Sequence, residues 1–92
     1  MEHTIEVVLG KHSRAVLRVL RALLRAEKPV TLYWVEKESG VYEAKIVLRR
    51  LKEAGIVEEL DDYKPKRYKI NRRNKLVREI EDFLMRIGYL TP

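Results

Sequence analysis

The spacing of apolar residues switches from helical to alternating at Gly55, and that change constrains the fold more than any other feature. Before it, Ala44, Val47, Leu48 and Leu51 recur at helical spacing. After it, Ile56, Glu58 and Leu60 alternate with Val57 and Glu59. A period near 3.6 marks a helix with one buried face, and a period of two marks a strand. Glycine at the junction accepts the positive φ that ends a helix. A helix over about 42–54 must therefore run straight into a strand. The extended pattern resumes over 67–71 through Tyr68 and Ile70. Asp61-Asp62-Tyr63-Lys64-Pro65-Lys66 lies between and reads as the loop of a β-hairpin.

The segments upstream are helical. Over 13–27, Val16, Leu17, Leu20, Leu23 and Leu24 form an apolar stripe. Ser13 stands at its start as a candidate N-cap. Arg14, Arg18, Arg21 and Arg25 follow at steps of four, three and four along a neighbouring face. Lys28-Pro29 ends the helix, because proline disfavours helical backbone in its predecessor. Pro29-Val30 supplies a short extended piece. Thr31 is placed to cap a second helix over 32–38, with Leu32 and Val35 inward, and Ser39-Gly40 is the turn that follows. Beyond the hairpin, Asn71 or Asn74 can cap a last helix ending near Ile87, where Leu76, Ile80, Phe83 and Ile87 repeat with Val77 and Leu84 beside them. Gly88 stops it. The run 5–10 is apolar and ends in glycine; its periodicity fits a helical turn or an edge strand.

The expected fold class is α+β: helix, short strand, two helices, strand, hairpin loop, strand, helix. Ninety-two residues make one domain with one core and little room for a deep cavity. With no cysteine, disulfides, thiolate metal sites and cysteine nucleophiles are excluded. Met1-Glu2-His3-Thr4 has no basic leader character and no apolar run approaches a membrane span, so a cytoplasmic chain with no membrane partner is expected. Charged residues make up 37%, glutamine is missing, and asparagine occurs only at 71 and 74, a pattern that fits thermophile tendencies.

Several segments are similar to ArsR-like regulators of archaea and bacteria, which belong to the winged helix-turn-helix superfamily. Leu9-Gly10-Lys11-His12-Ser13-Arg14-Ala15-Val16-Leu17 looks like the start of their first helix. Thr31-Leu32-Tyr33-Trp34-Val35-Glu36-Lys37-Glu38-Ser39-Gly40-Val41 resembles their second helix and turn. Leu48-Arg49-Arg50-Leu51-Lys52-Glu53-Ala54-Gly55-Ile56-Val57 matches a recognition helix entering the wing, and Lys66-Arg67-Tyr68-Lys69-Ile70-Asn71 resembles the returning strand. The resemblance covers about 9–72 as core and wing and leaves 73–92 as a C-terminal dimerisation helix. It implies a third helix in the major groove of double-stranded DNA and a wing against the flanking backbone.

Composition agrees with a polyanionic partner. The chain holds 20 Lys and Arg against 14 Asp and Glu, a net charge of +6. From Tyr63 to Arg78 there are eight basic residues and no acid. The residues expected to touch DNA are Tyr42, Lys45, Arg49, Arg50 and Lys52 on the third helix, with Lys64, Lys66, Arg67 and Lys69 on the wing. Arg72 and Arg73 extend the run. Arginine can donate in parallel to guanine, and either cation can neutralise phosphate. The resemblance is imperfect: Gly40 to Gly55 is shorter than the family pattern. The front of the helix, Val41-Tyr42-Glu43-Ala44 and Ile46, is apolar and acidic where family regulators place polar base-reading residues. A protein-interaction module in a replication or transcription assembly is therefore the alternative, and an RNA-binding winged helix a third.

Other features have plain readings. The four arginines of the first helix read as a solvated face, with a phosphate track as the alternative. Tyr33 and Trp34 read as core or interface residues, and Glu58, Glu59, Asp61 and Asp62 as solvated acids. His3 and His12 lack companions for a metal site. No phosphate loop, nucleophile elbow or histidine–acid pair is visible, so no enzyme, cofactor or metal is expected, and no small-molecule effector is indicated. Leu76, Ile80, Phe83, Leu84 and Ile87 offer more apolar surface than one side of a small domain buries. They are expected to form a homodimer interface.

Overall fold

The first helix is built on a two-sided sequence. Val16, Val19, Leu20 and Leu23 are buried, while the arginines between them face outward. The computed structural model describes residues 13–62 and 64–91. His3, His12 and the apolar run 5–10 lie outside them. Within the described residues the order is α1 (Ser13–Arg25), β1 (Val30–Thr31), α2 (Leu32–Ser39), α3 (Ala44–Glu53), β2 (Val57–Leu60), β3 (Arg67–Ile70) and α4 (Lys75–Arg86). This is an α+β arrangement of four helices and one three-stranded antiparallel sheet. α1 stops at Arg25, short of the expected Glu27.

β3 is the central strand. The order is β1-β3-β2, with Val30 opposite Tyr68 and Val57 opposite Ile70. The two-residue β1 thus ties the α1–α2 connection to the far strand of the hairpin. α2 follows at once, capped as expected: the Thr31 hydroxyl accepts from the Trp34 N–H at 3.2 Å. Val35 is fully buried, and Leu32 and Trp34 pack half-buried against the core. α3 is shorter than expected. It begins at Ala44 after Glu43, whose side chain makes no cap, so Tyr42 stands before the helix and not in its first turn. Ala44, Val47, Leu48 and Leu51 are all buried, as their spacing requires.

The helix-to-strand junction is locked by side-chain amides. Gly55 has φ +77°, and a Cβ there would also lie 3.3 Å from the Asn74 Nδ2. The amides of Asn71 and Asn74 both donate to the Gly55 carbonyl, each at 2.9 Å. Asn74 caps α4 as well, its Oδ1 accepting from the Leu76 N–H at 2.9 Å. One asparagine therefore joins the end of α3 to the start of α4. Val77 and Leu84 enter the common core, with Leu76 and Ile80 half-buried beside it. After α4 the chain folds back so that Leu90 is buried. Among the described residues, no helix is long and apolar enough to cross a membrane.

Candidate nucleic-acid interface

On α3 the buried residues leave a lateral strip on which Lys45, Arg49 and Lys52 fall, since i, i+4 and i+7 share one side of a helix. That strip faces the hairpin. Lys45, Arg49 and Lys52 line one open cleft with Lys66, Pro65 and the half-buried Glu59. The geometry thus gathers four cations from two elements around a single carboxylate. The Lys52 Nζ donates to Glu59 Oε2 at 3.1 Å, and the Lys66 Nζ lies 3.8 Å from the same oxygen. The bonded Lys52 ammonium holds the Glu59 carboxyl below its usual 4.5. Burial first, and the Glu59 charge next, push the Tyr68 phenol above its usual 10.0. Glu59 and Tyr68 oppose each other across the hairpin, so the acid is held on the α3 side of the sheet.

The other expected contacts are distributed differently. Lys69 leaves β3 on the opposite face, where it lies 3.7 Å from Glu58 and lines a second groove with Arg72, Arg73 and Lys28. Arg73 also meets Glu58, at 3.0 Å. Arg67 is half-buried and lies 3.6 Å from Asp62. Arg50 is exposed but does not line the α3–hairpin cleft, and Lys64 is exposed near the hairpin tip. Tyr42 is 92% exposed and lines a separate shallow site with Tyr33, Lys37 and Val41. The structure therefore brings together Lys45, Arg49, Lys52 and Lys66. It does not bring Tyr42, Arg50 or Lys69 to the same cleft.

The reading of two of the acids changes. Glu58 and Glu59 are half-buried and each meets two cations, so they are structural partners and not freely solvated. Alternation already separated these two acids onto opposite faces; what it could not supply was which cations waited on each side. Trp34 is half-buried against the core, whereas Tyr33 is 66% exposed under the Lys37 ammonium at 5.4 Å. Of the apolar α4 residues, Leu84 is enclosed in the chain's own core, while Phe83 is 53% and Ile87 58% exposed. Among the described residues no group of three or more His, Asp or Glu is placed to hold a metal.

Comparison of the chain with protein-family models, with curated proteins and with solved structures returned no match.

Proposed function

We propose that this chain is a winged helix-turn-helix protein of ArsR-like type that binds duplex DNA and regulates transcription without catalysing a reaction. The observation that carries this reading is the convergence of Lys45, Arg49 and Lys52 of α3 with Lys66 of the hairpin on one open cleft. In it α3 is the recognition helix, β2 and β3 with their loop are the wing, and Arg49 is the residue placed to read a base edge. Lys45 and Lys66 neutralise phosphates on either side. Glu59 fixes the wing against the recognition helix through Lys52 and Lys66. The reading includes a homodimer through Leu76, Ile80, Phe83 and Ile87, since two copies would present paired recognition helices to a palindromic site.

The test is a binding selection from random duplexes on the purified chain, followed by titration of the selected site at two salt concentrations. Enrichment of a defined site and a salt slope of several units support the reading. No enrichment, with negligible duplex affinity at moderate salt, overturns it. Sedimentation of Phe83→Asp beside the parent chain tests the dimer.

The second reading is a protein-interaction winged helix, and the exposed aromatic front favours it. Tyr42, Tyr33 and Ile46 are 92, 66 and 45% exposed around the α2–α3 turn, which is unusual surface for a base-reading helix. That reading predicts a bound protein that shields Tyr42 and Ile46 from solvent, with no effect of Arg49→Ala on any duplex.

A further inference from the structure

The four arginines of α1 form the longest single-sign row on any helix among the described residues. Arg14, Arg18, Arg21 and Arg25 fall within about 60° of one another around the helix, in a line about 16 Å long. α1 contains no acid, and among the described residues none of the four lies in an ion pair with a carboxylate. α4 is the contrast: it intersperses Glu79, Glu81 and Asp82 with Arg78 and Arg86. Like charges at i, i+4 destabilise a helix, so an unbroken arginine line costs stability that a face of mixed charge avoids. Two of the guanidiniums are also oriented by the chain's end. Arg21 stacks 4.4 Å from the centroid of the Tyr89 ring, and Arg25 Nη2 donates to Thr91 Oγ1 at 3.4 Å.

The line points away from the α3–hairpin cleft. Val16, Val19, Leu20 and Leu23 occupy the opposite side of α1 and enter the core that α3 and β3 share. The groove beside the arginines, lined by Arg14, Leu17, Arg18, Arg21 and Tyr89, has no residue in common with the cleft. An amphipathic helix that lies on a membrane inserts apolar side chains beside its cations. Of the large exposed apolar residues, none of Tyr33, Tyr42, Ile46, Phe83, Met85 and Ile87 lines the groove that Arg14, Arg18 and Arg21 share. A narrow row of guanidiniums, rising in steps of about 4.5–6 Å, fits a ligand whose negative charge repeats along a line, and each strand of a duplex offers a phosphate about every 3.4 Å along its axis. Guanidinium also pairs with phosphate through parallel hydrogen bonds.

We propose that the outer face of α1 is a second surface for the phosphate backbone of nucleic acid, separate from the α3–hairpin cleft, so that one molecule holds two duplex segments. The holding of two segments rests on the proposed role of the cleft; backbone binding by α1 does not. The test uses Arg14→Gln/Arg18→Gln/Arg25→Gln, leaving Arg21 in place because it packs on Tyr89. It also uses the matching lysine triple and Lys45→Ala/Arg49→Ala. Each is titrated with a random-sequence duplex over a range of salt. Each is then mixed with a bead-bound duplex and a second, labelled one, and with phosphatidylserine vesicles.

The parent chain is expected to draw the labelled duplex onto the beads. The glutamine triple should stay on the beads, lose that capture and show a salt slope lower by about 2–3 units. The lysine triple should keep both. Lys45→Ala/Arg49→Ala should retain salt-dependent binding that disappears when the glutamine triple is added. An unchanged slope and unchanged capture in the glutamine triple overturn the proposal. So does loss of vesicle binding with duplex binding intact, which would assign the face to a membrane. Failure of the cleft reading looks different: Lys45→Ala/Arg49→Ala would then bind duplex as the parent does.

Discussion

Along β3 and its flanks, Lys66, Arg67, Lys69, Arg72 and Arg73 each have a carboxylate oxygen between 2.8 and 3.8 Å away. Along α1, four arginines at comparable density have none among the described residues. In sequence the first group looks the stronger polyanion site, because eight cations follow one another without an acid. In space it is largely countered by Glu58 and Glu59 from the neighbouring strand, Asp62 from the loop and Glu81 from α4. The lesson is that a run of like charge within a strand says little about its field, because the partner strand is always within reach. On the outer face of α1 the residues that come over from elsewhere, Tyr89 and Thr91, bring no carboxylate side chain, so there the composition of the face is the field. The hairpin pairs are weak, worth about 0–1 kcal/mol each when exposed. Phosphates can therefore replace the acids, but with a smaller net gain than free cations would give.

The largest effect should come from removing the α3 cations that face the hairpin. Arg49→Ala with Lys45→Ala strips the cleft of its two cations that have no carboxylate partner among the described residues. A lost base contact at Arg49 alone costs about 1–3 kcal/mol of discrimination. Affinity for a selected site should therefore fall by at least tenfold in an anisotropy titration. Lys69→Ala, on the other face and paired with Glu58, should change it less than twofold. Equal losses in the two variants would mean that the cleft is not the preferred surface.

A smaller effect of opposite sign sharpens the same contrast. Glu59→Gln frees Lys52 and Lys66 inside the cleft, while Glu58→Gln frees Lys69 and Arg73 on the far side. If duplex sits in the cleft, the first substitution should raise affinity for random duplex severalfold and steepen the salt slope by about one unit. The second should leave both nearly unchanged. A larger gain from Glu58→Gln would move the binding surface to the groove beside Lys28 and Arg72.

Because the contrast is one of charge, a variant that weakens the frame without altering charge must leave it intact. Asn74→Ala removes the α4 cap and one of the two amides on the Gly55 carbonyl. The cap alone is worth about 1 kcal/mol, so Tm should fall by about 4–8 °C for a domain of this size. Duplex affinity measured well below that Tm should not change.

What the sequence made legible follows from which interactions are local. Thr31 and Asn74 cap helices through bonds to residues three and two positions on, and Gly40, Gly55 and Gly88 all take the positive φ their places imply. The inward residues of α3 follow from spacing alone. By contrast, the pairing of β1 with β3, the two amides converging on Gly55 and the sharing of Glu59 by Lys52 and Lys66 join residues of different segments, and no periodicity encodes them. The candidate site was half legible for the same reason. The strip of Lys45, Arg49 and Lys52 is a helical repeat, whereas the division of Lys66 from Lys69 depends on which face of the sheet α3 covers. Leu84 shows the limit of an apolar tally, since it belonged to the core and left Phe83 and Ile87 outside.

The smallest expected effect is on acid stability, and it isolates Glu59 from its surroundings. The folded carboxyl titrates below its usual 4.5 because Lys52 donates to it. Its contribution to stability is therefore fully present above that value and is lost as pH falls through the lower folded value. Urea melts of the parent chain should show stability declining with acid across this window, with a shallower decline in Glu59→Gln. The parent's advantage should shrink as pH falls below 4.5 and be restored above it. Lys52 is half exposed, so solvent screening keeps the difference well under about 1 kcal/mol. Glu58→Gln serves as the reference on the other face. If the two glutamine variants lose the same share of the acid limb, then the cleft holds its carboxylate no more firmly than the outer face does. The division of the hairpin into a side fastened to α3 and a side facing away would then have no energetic counterpart.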